Sequence, residues 1–317
     1  MTTSVSGTGG ITFPDSTTQN TGAFNGGLAF RNRIINGAMD FAQRGTSFST
    51  PANGAYTLDR WLIQWGGAAP ASVAQVAGPT GFRNAARVTG AASNTTCPLV
   101  QRIESYNCSD LSGATITIQA NIAVSTAQNI LWQLFYPSAQ DNFASNTFIS
   151  SGTWSATSTA TTFTATITGL PSGATNGLQL IIAPNGGGAF TSGTITITGV
   201  QLEKSPTATS FDYRPYGTEL ILCQRYYVGN TGIVDTSFFN VNSTNLAGCA
   251  RYPVTMRASP TVIIYNGSTA NQVILIGGGT GTVSSTGGSP NNLGSIQGTG
   301  LTGVGGAQFG YSASAEL

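Results

Sequence analysis

The chain has no histidine in its 317 residues and a single lysine, Lys204. The lack of histidine removes the commonest general base and the commonest metal ligand. Charge is scarce altogether. Asp, Glu, Lys and Arg make up 7% of the residues, the net charge is +1, and no Lys/Arg run occurs. A groove that tracks phosphates needs a basic patch, so nucleic acid and anionic membranes are poor partners. No apolar stretch approaches the roughly 20 residues that span a bilayer as a helix. The N-terminus "MTTSVSGTGGITFPDSTTQ" lacks the basic start and apolar core of a secretory leader, so assembly in a cytoplasm is expected. The four cysteines, Cys97, Cys108, Cys223 and Cys249, include no C-x-x-C pair, which argues against zinc. Four buried free thiols are expected, with a Cys97–Cys108 bridge as the alternative. No cofactor is expected. A site built from Asp40, Asp141 and backbone carbonyls is the sole metal arrangement the sequence suggests.

Low charge combined with 40% hydrophobic residues is not the composition of a disordered chain. Glycine accounts for 42 residues, and Thr, Ser, Asn and Ala fill much of the rest. These residues favour turns and strands over long helices, so an all-β fold follows. Period-two patterns support it. Trp61, Ile63 and Trp65 share one side of a strand, as do Ile116, Ile118, Ala120, Ile122 and Val124. "NILWQLFY" is apolar on both faces, which suits a central strand. Turn signals such as Pro184-Asn185-Gly186 separate the segments. The spacing fits a β-sandwich of about eight or more strands.

Near residue 199 the alternation changes parity. Ile195 and Ile197 face one way, yet Val200 and Leu202 continue on even numbers. One residue must be absorbed there, and Gly199 predicts a β-bulge or bend. The following "SPTATSFDYRPYG" holds two prolines and reads as an extended crossing segment. "YGTELILCQRYY" is the one helix candidate, with Thr218 as its cap and Glu219 at its positive end. The chain therefore divides into an N-terminal segment (1–30) for attachment or exchange, a β-sandwich (31–215), and a short helix leading into a smaller C-terminal β domain (216–317).

The ordered set "NRIINGAMDFAQRGTSF" (32–48), "YTLDRW" (56–61), "GVQLEKSPTATSFDYRPYGTELILCQRYY" (199–227), "YPVTMRASPTV" (252–262) and "YSASAEL" (311–317) resembles phage and prophage tail-fibre, or receptor-binding, proteins. "GGITFPDSTTQNT" (9–21) resembles the segment that introduces the C-terminal regions of such fibres. The resemblance implies a virion protein in an external appendage, a homotrimer; its N-terminal segment, which carries no core of its own, is expected to join it to other tail or capsid proteins. Its distal β domains would touch the host surface, with a glycan as the expected receptor. Residues 32–214 also resemble jelly-roll carbohydrate-binding modules, which implies a jelly-roll sandwich but carries over no ligand residue. Two alternatives stand beside a non-enzymatic adhesin. One is a capsid-decorating or baseplate protein without a receptor role, and the other is a glycan-cleaving tail protein.

The charges concentrated at Glu203, Asp212, Arg214, Glu219 and Arg225 admit two readings. Paired carboxylates among Glu203, Asp212 and Glu219 could serve glycoside hydrolysis. Alternatively, Glu203 and Asp212 form ion pairs with Arg214 and Arg225 that fix the joint between the domains, which is the expected arrangement because partly buried charges require partners. Asp59-Arg60-Trp61 is read as a strand start with Trp61 in the core. For ligand binding the candidates are Trp154, Tyr252, Tyr265 and Asn266. Trp154 sits in a Ser/Thr-rich stretch where an exposed or edge ring is expected, and an aromatic face is how glycan sites gain affinity.

Overall fold

The computed structural model describes residues 11–12, 18–19, 30–242, 244–267, 269–275, 279–301 and 307–317. Most of the 1–30 segment lies outside the described residues, apart from a pairing of Ile11–Thr12 with Thr18–Gln19.

Two six-stranded antiparallel sheets form a jelly-roll sandwich. The first runs in the order Asn142–Ala156, Gln128–Ala139, Leu178–Ala183, Leu99–Ile103, Leu62–Ile63, Ala55–Tyr56. The second runs Thr161–Ile167, Ile116–Val124, Thr194–Glu203, Asn84–Thr89, Ser72–Ala77, Ser47–Phe48. Consecutive strands cross repeatedly between the sheets, as in jelly rolls. The alternating apolar residues do what their period predicts. Ile116, Ile118, Ala120, Ile122 and Val124 are all buried, facing Ile130, Leu134, Leu180 and Ile182 of the other sheet. Trp61 and Ile63 are fully buried, and Trp65 packs against the same core.

The parity break is a bulge. Gln119 pairs with Gln201 and Asn121 with Thr198, so Gly199 and Val200 together oppose Ala120. Gly199 has φ +58°, and a side chain there would meet the Phe82 ring at 2.4 Å. Glycine is thus required twice, for backbone conformation and for space.

After Glu203 the chain crosses in extended form to a helix, Tyr216–Gln224. Thr218 is not its cap. Helical geometry begins at Tyr216, and the Pro215 carbonyl accepts from the N–H groups of Thr218 and Glu219. Proline just outside the first turn sets the start, so Thr218 falls inside it. Glu219 does lie in the first turn, as its charge suits.

Beyond the helix, the C-terminal strands form one antiparallel sheet. Its order is Tyr227–Asn242, Asn245–Arg251, Asn292–Thr299, Thr280–Ser289, Gln272–Leu275, Ala307–Ser314, Thr261–Asn266, Thr269–Ala270. Ala307–Ser314 also pairs with Tyr227–Asn242, which closes the first six strands into a small barrel. Phe238 and Phe309 meet edge to face at 5.2 Å inside it. Leu293, Ile296 and Ile264 complete its centre.

All four cysteines are free thiols. Cys97, Cys108 and Cys223 are buried, whereas Cys249 is exposed, unlike the four buried thiols expected. Burial pushes the Cys97 thiol up to about 12, so it is inert as a nucleophile.

Candidate functional site

The charges of the 203–225 stretch do not pair as a closed set. Glu203 is buried, and its carboxylate accepts from the Thr209 N–H at 2.8 Å, from Thr209 Oγ1 at 2.8 Å and from Gln201 Nε2 at 3.0 Å. Asp212 Oδ2 accepts from the N–H groups of Arg31 (2.8 Å) and Asn32 (3.3 Å). Among the described residues, neither carboxylate is in an ion pair with arginine. Each instead satisfies backbone donors of the chain that turns beside it, because extended loop backbone offers N–H groups that no sheet partner takes. Glu203 and Asp212 thus do not form the interdomain ion pairs expected of them. Arg214 does form a pair, with Glu219 at 2.7 Å. Arg225 pairs with Glu104 of the sandwich at 2.8 Å, and Glu104 also accepts from the Tyr226 hydroxyl at 2.7 Å.

The joint itself is built by residues from six separate places. Arg60 is 1% exposed and pairs with Glu316. Its guanidinium lies 3.6 Å from the centre of the Tyr226 ring. Arg44 contacts Glu316 at 3.1 Å and lies 3.5 Å over Tyr227. Arg257 donates to the Ala315 carbonyl at 2.9 Å and the Glu316 carbonyl at 3.0 Å. Arg102 and Tyr56 both donate to the Leu317 carbonyl oxygen. Burial works to discharge Arg60, and Glu316 with Tyr226 and Tyr56 outweighs it, so the group is held charged. Asp59, held by Gln43 and 3.9 Å from Arg44, is pushed up to about 6 mainly by burial. Ile35, Phe41, Cys223 and Tyr226 form a small apolar centre beneath this charge network.

None of the four aromatic and amide candidates forms a site with another. Trp154 is 6% exposed, stacked on Phe163 (19° between planes, 6.0 Å) and beside Trp132 at 6.1 Å. Its Nε1 donates to the Thr164 carbonyl at 3.1 Å. The Ser/Thr-rich surroundings are the outward positions of its strand, and Trp154 occupies an inward one. Tyr252 is also 6% exposed and lies against Tyr311 in the barrel. Neither ring is open to a ligand. Tyr265 is half-buried with its hydroxyl 3.3 Å from Ser312 Oγ, and the half-buried Asn266 ends its strand opposite Thr269. Among the described residues, no group of three or more His, Cys, Asp or Glu side chains is placed to hold a metal. Asp40 accepts instead from Asn84, and Asp141 from Ser105.

A cleft of about 110 Å³ lies where the crossing segment passes the 32–41 loop. The loop is stitched to the bulged strand: Val200 N–H donates to Gly37 O at 3.0 Å and Arg33 N–H to Leu202 O at 2.8 Å. Gly37 has no room for a side chain, since a Cβ would lie 2.1 Å from Val200 O. Asn36, at φ +57°, turns the loop and uses its side chain to hold both Phe41 and Asp59 O. Asp40 and Phe41 reach the cleft from this loop, and Phe211, Tyr213 and Tyr216 reach it from the other wall. Phe82, Phe211 and Tyr213 pack on one another at 4.7–5.8 Å between ring centres. The Tyr213 hydroxyl donates to Gly81 O. Tyr216 leans on Phe41 at 4.7 Å. Tyr213 remains 54% and Tyr216 67% exposed. Two tyrosine faces therefore stand open to solvent on rigid supports, next to a carboxylate. Such a surface stacks against an apolar face of a ligand and accepts hydrogen bonds from its hydroxyls. The sequence signal for it is "FDYRPY", in which aromatic and charged residues are interleaved in a segment that fits neither strand nor helix.

No family model matches the chain, and no curated protein matches it. Several solved structures are similar in part. One, described as "CBM4 structure and function", is 22% identical over 54% of this chain and 99% of its own, with a TM-score of 0.36. The enzymatically active domain of bacteriophage CBA120 tailspike protein 4 is 13% identical over 55% of this chain and 21% of its own, with a TM-score of 0.38. The family 11 carbohydrate-binding module of a Clostridium thermocellum cellulosomal cellulase is 15% identical over 52% of this chain and 97% of its own, with a TM-score of 0.36. These are partial likenesses of shape.

Proposed function

We propose that the chain is a non-enzymatic attachment protein of the phage tail-fibre type that binds a host-surface glycan in the cleft between residues 36–41 and 211–219. The observation that supports this is the pair of exposed, rigidly backed rings, Tyr213 and Tyr216, beside Asp40. A shallow cleft with two aromatic faces takes one face of a sugar ring and leaves the rest of the glycan in water. Weak single sites of this kind gain strength when many copies act together, and assembly as a homotrimer on a virion supplies those copies.

The glycan-cleaving alternative finds no support in the carboxylates suggested for it. Glu203 is enclosed by Thr209 and Gln201, Asp212 caps backbone donors, and Glu219 is held by Arg214 and the Asn36 N–H.

A glycan array probed with the full chain tests the proposal. Oligosaccharide binding is expected, and Tyr216→Ala is expected to weaken it about tenfold, the loss of one stacking contact. Because Tyr216 is largely exposed, its melting temperature should stay within about 2 °C of the parent. Binding to no glycan, or binding indifferent to both Tyr213→Ala and Tyr216→Ala, contradicts the proposal.

A further inference from the structure

The charges around the cleft bear on which glycans it takes. Asp40, Asp212, Arg214 and Glu219 line it. Arg214 is the one cation among the described lining residues, and its side chain is 5% exposed. Its Nη1 donates to Glu219 at 2.7 Å and Ile34 O at 3.2 Å, and its Nη2 to Asn32 O. Its Nε is buried without a hydrogen-bond partner, while the charge of the guanidinium is already paired with Glu219. Glu219 and Asp212 are likewise committed, to Asn36 N–H and Arg214 and to the N–H groups of Arg31 and Asn32 respectively.

Asp40 differs from both. Among the described residues, its hydrogen bond is the one that its Oδ1 accepts from Asn84 Nδ2 at 2.9 Å, and it is in no ion pair with them. It is half-buried at the cleft, with Oδ2 able to accept. Its charge reaches the exposed tyrosine: burial first, and then Asp40, raises the Tyr213 phenol above its ordinary value.

We propose that Asp40 is a specificity-determining residue that makes the cleft accept neutral, hydroxyl-rich sugars and reject uronic, sialic and phosphorylated ones. This rests on the glycan-binding function proposed above. A neutral ring stacked on Tyr213 or Tyr216 donates a hydroxyl to Asp40 Oδ2. An anionic ring in the same place meets a carboxylate, and the cation lining the cleft, Arg214, is buried and already paired with Glu219, so the rejection is built from repulsion rather than from lost contact.

The test compares matched oligosaccharides that differ in charge: β-1,4-glucan and β-1,4-glucuronan tetramers, and lactose and sialyllactose, within a wider array of neutral and acidic glycans. Affinities are measured by calorimetry on the full chain, on Asp40→Asn and on Tyr216→Ala. Asp40→Asn keeps the size and the contact with Asn84 while removing the charge. The parent is expected to bind neutral members at least about fivefold more tightly than their acidic counterparts, and Asp40→Asn to bring that ratio within about twofold, at low salt where repulsion is least screened. Acidic members bound as tightly as neutral ones, or a ratio unchanged in Asp40→Asn, would overturn the assignment of Asp40 while leaving the glycan-binding function standing. Binding to no member, or neutral binding unaffected by Tyr216→Ala and equally by Tyr213→Ala measured in the same way, would overturn both.

Discussion

Arg60 is the residue on which the joint turns. It is almost wholly buried, and Glu316, 256 positions away, is the carboxylate that compensates it. Removing one member of a buried pair strands the other, which typically costs about 3–5 kcal/mol. Glu316→Ala is expected to lose stability of that size in urea denaturation, and Arg60→Met combined with Glu316→Leu to recover much of it, since the double variant removes the most deeply buried cation together with its partner and leaves Arg44 the contact with Asp59 at 3.9 Å. Additive losses would show that the pair is not the compensating unit. Asp59 sets a pH dependence. Its folded value of about 6 lies above the ordinary 3.8, so the folded protein binds that proton more tightly than the unfolded chain. The resulting stabilisation is complete below pH 3.8 and is lost as pH rises through about 6. The gap corresponds to about 3 kcal/mol. Relative to the parent, Asp59→Asn is therefore expected to flatten the fall in stability between pH 4 and pH 7, followed by urea midpoints across that range. An unchanged difference between the two profiles would contradict it. The sequence shows that its scarce charges need partners, but not which ones. Glu203 and Asp212 lie near arginines along the chain, yet the extended backbone around them supplies nearer donors. Arg225 finds Glu104, 121 positions away, instead.

At the scale of elements, periodicity was legible and departures from it were legible only when abrupt. The Ile116–Val124 alternation gives the buried face directly, and the parity change at Gly199 gives the bulge. Trp154 shows where composition misleads: its Ser/Thr neighbours point outward, while strand parity places Trp154 inward. The cleft lay hidden because its walls are loop and crossing segment, which have no period to read. Gly199 links the two. Its missing side chain leaves space for Phe82, and Phe82 supports Phe211 and Tyr213. Gly199→Val is expected to cost about 2 kcal/mol or more in stability. It should also weaken glycan binding by displacing Tyr213, although residue 199 itself lines no part of the cleft. Loss of stability with unaltered affinity would break that link.

Across the whole molecule, the five sequence segments at 32–48, 56–61, 199–227, 252–262 and 311–317 come together at the joint. They supply Arg44, Asp59 and Arg60, Tyr226 and Tyr227, Arg257, and Glu316 respectively. Distance along the chain concealed this meeting, while the all-β class and the helix between sandwich and barrel were readable from composition and pattern. The homotrimer belongs to the proposed function, and light scattering on the full chain is expected to give a mass near three chains; a mass near one chain would remove the avidity argument. The most direct measurement is a crystal structure of the full chain with the tightest-binding oligosaccharide from the array. The sugar is expected between residues 36–41 and 211–219, with a ring against Tyr213 or Tyr216 and a hydroxyl on Asp40. A sugar seated elsewhere, such as on the exposed Phe148 and its neighbour Phe135 on the first sheet or on the C-terminal barrel, would contradict the assignment of the cleft.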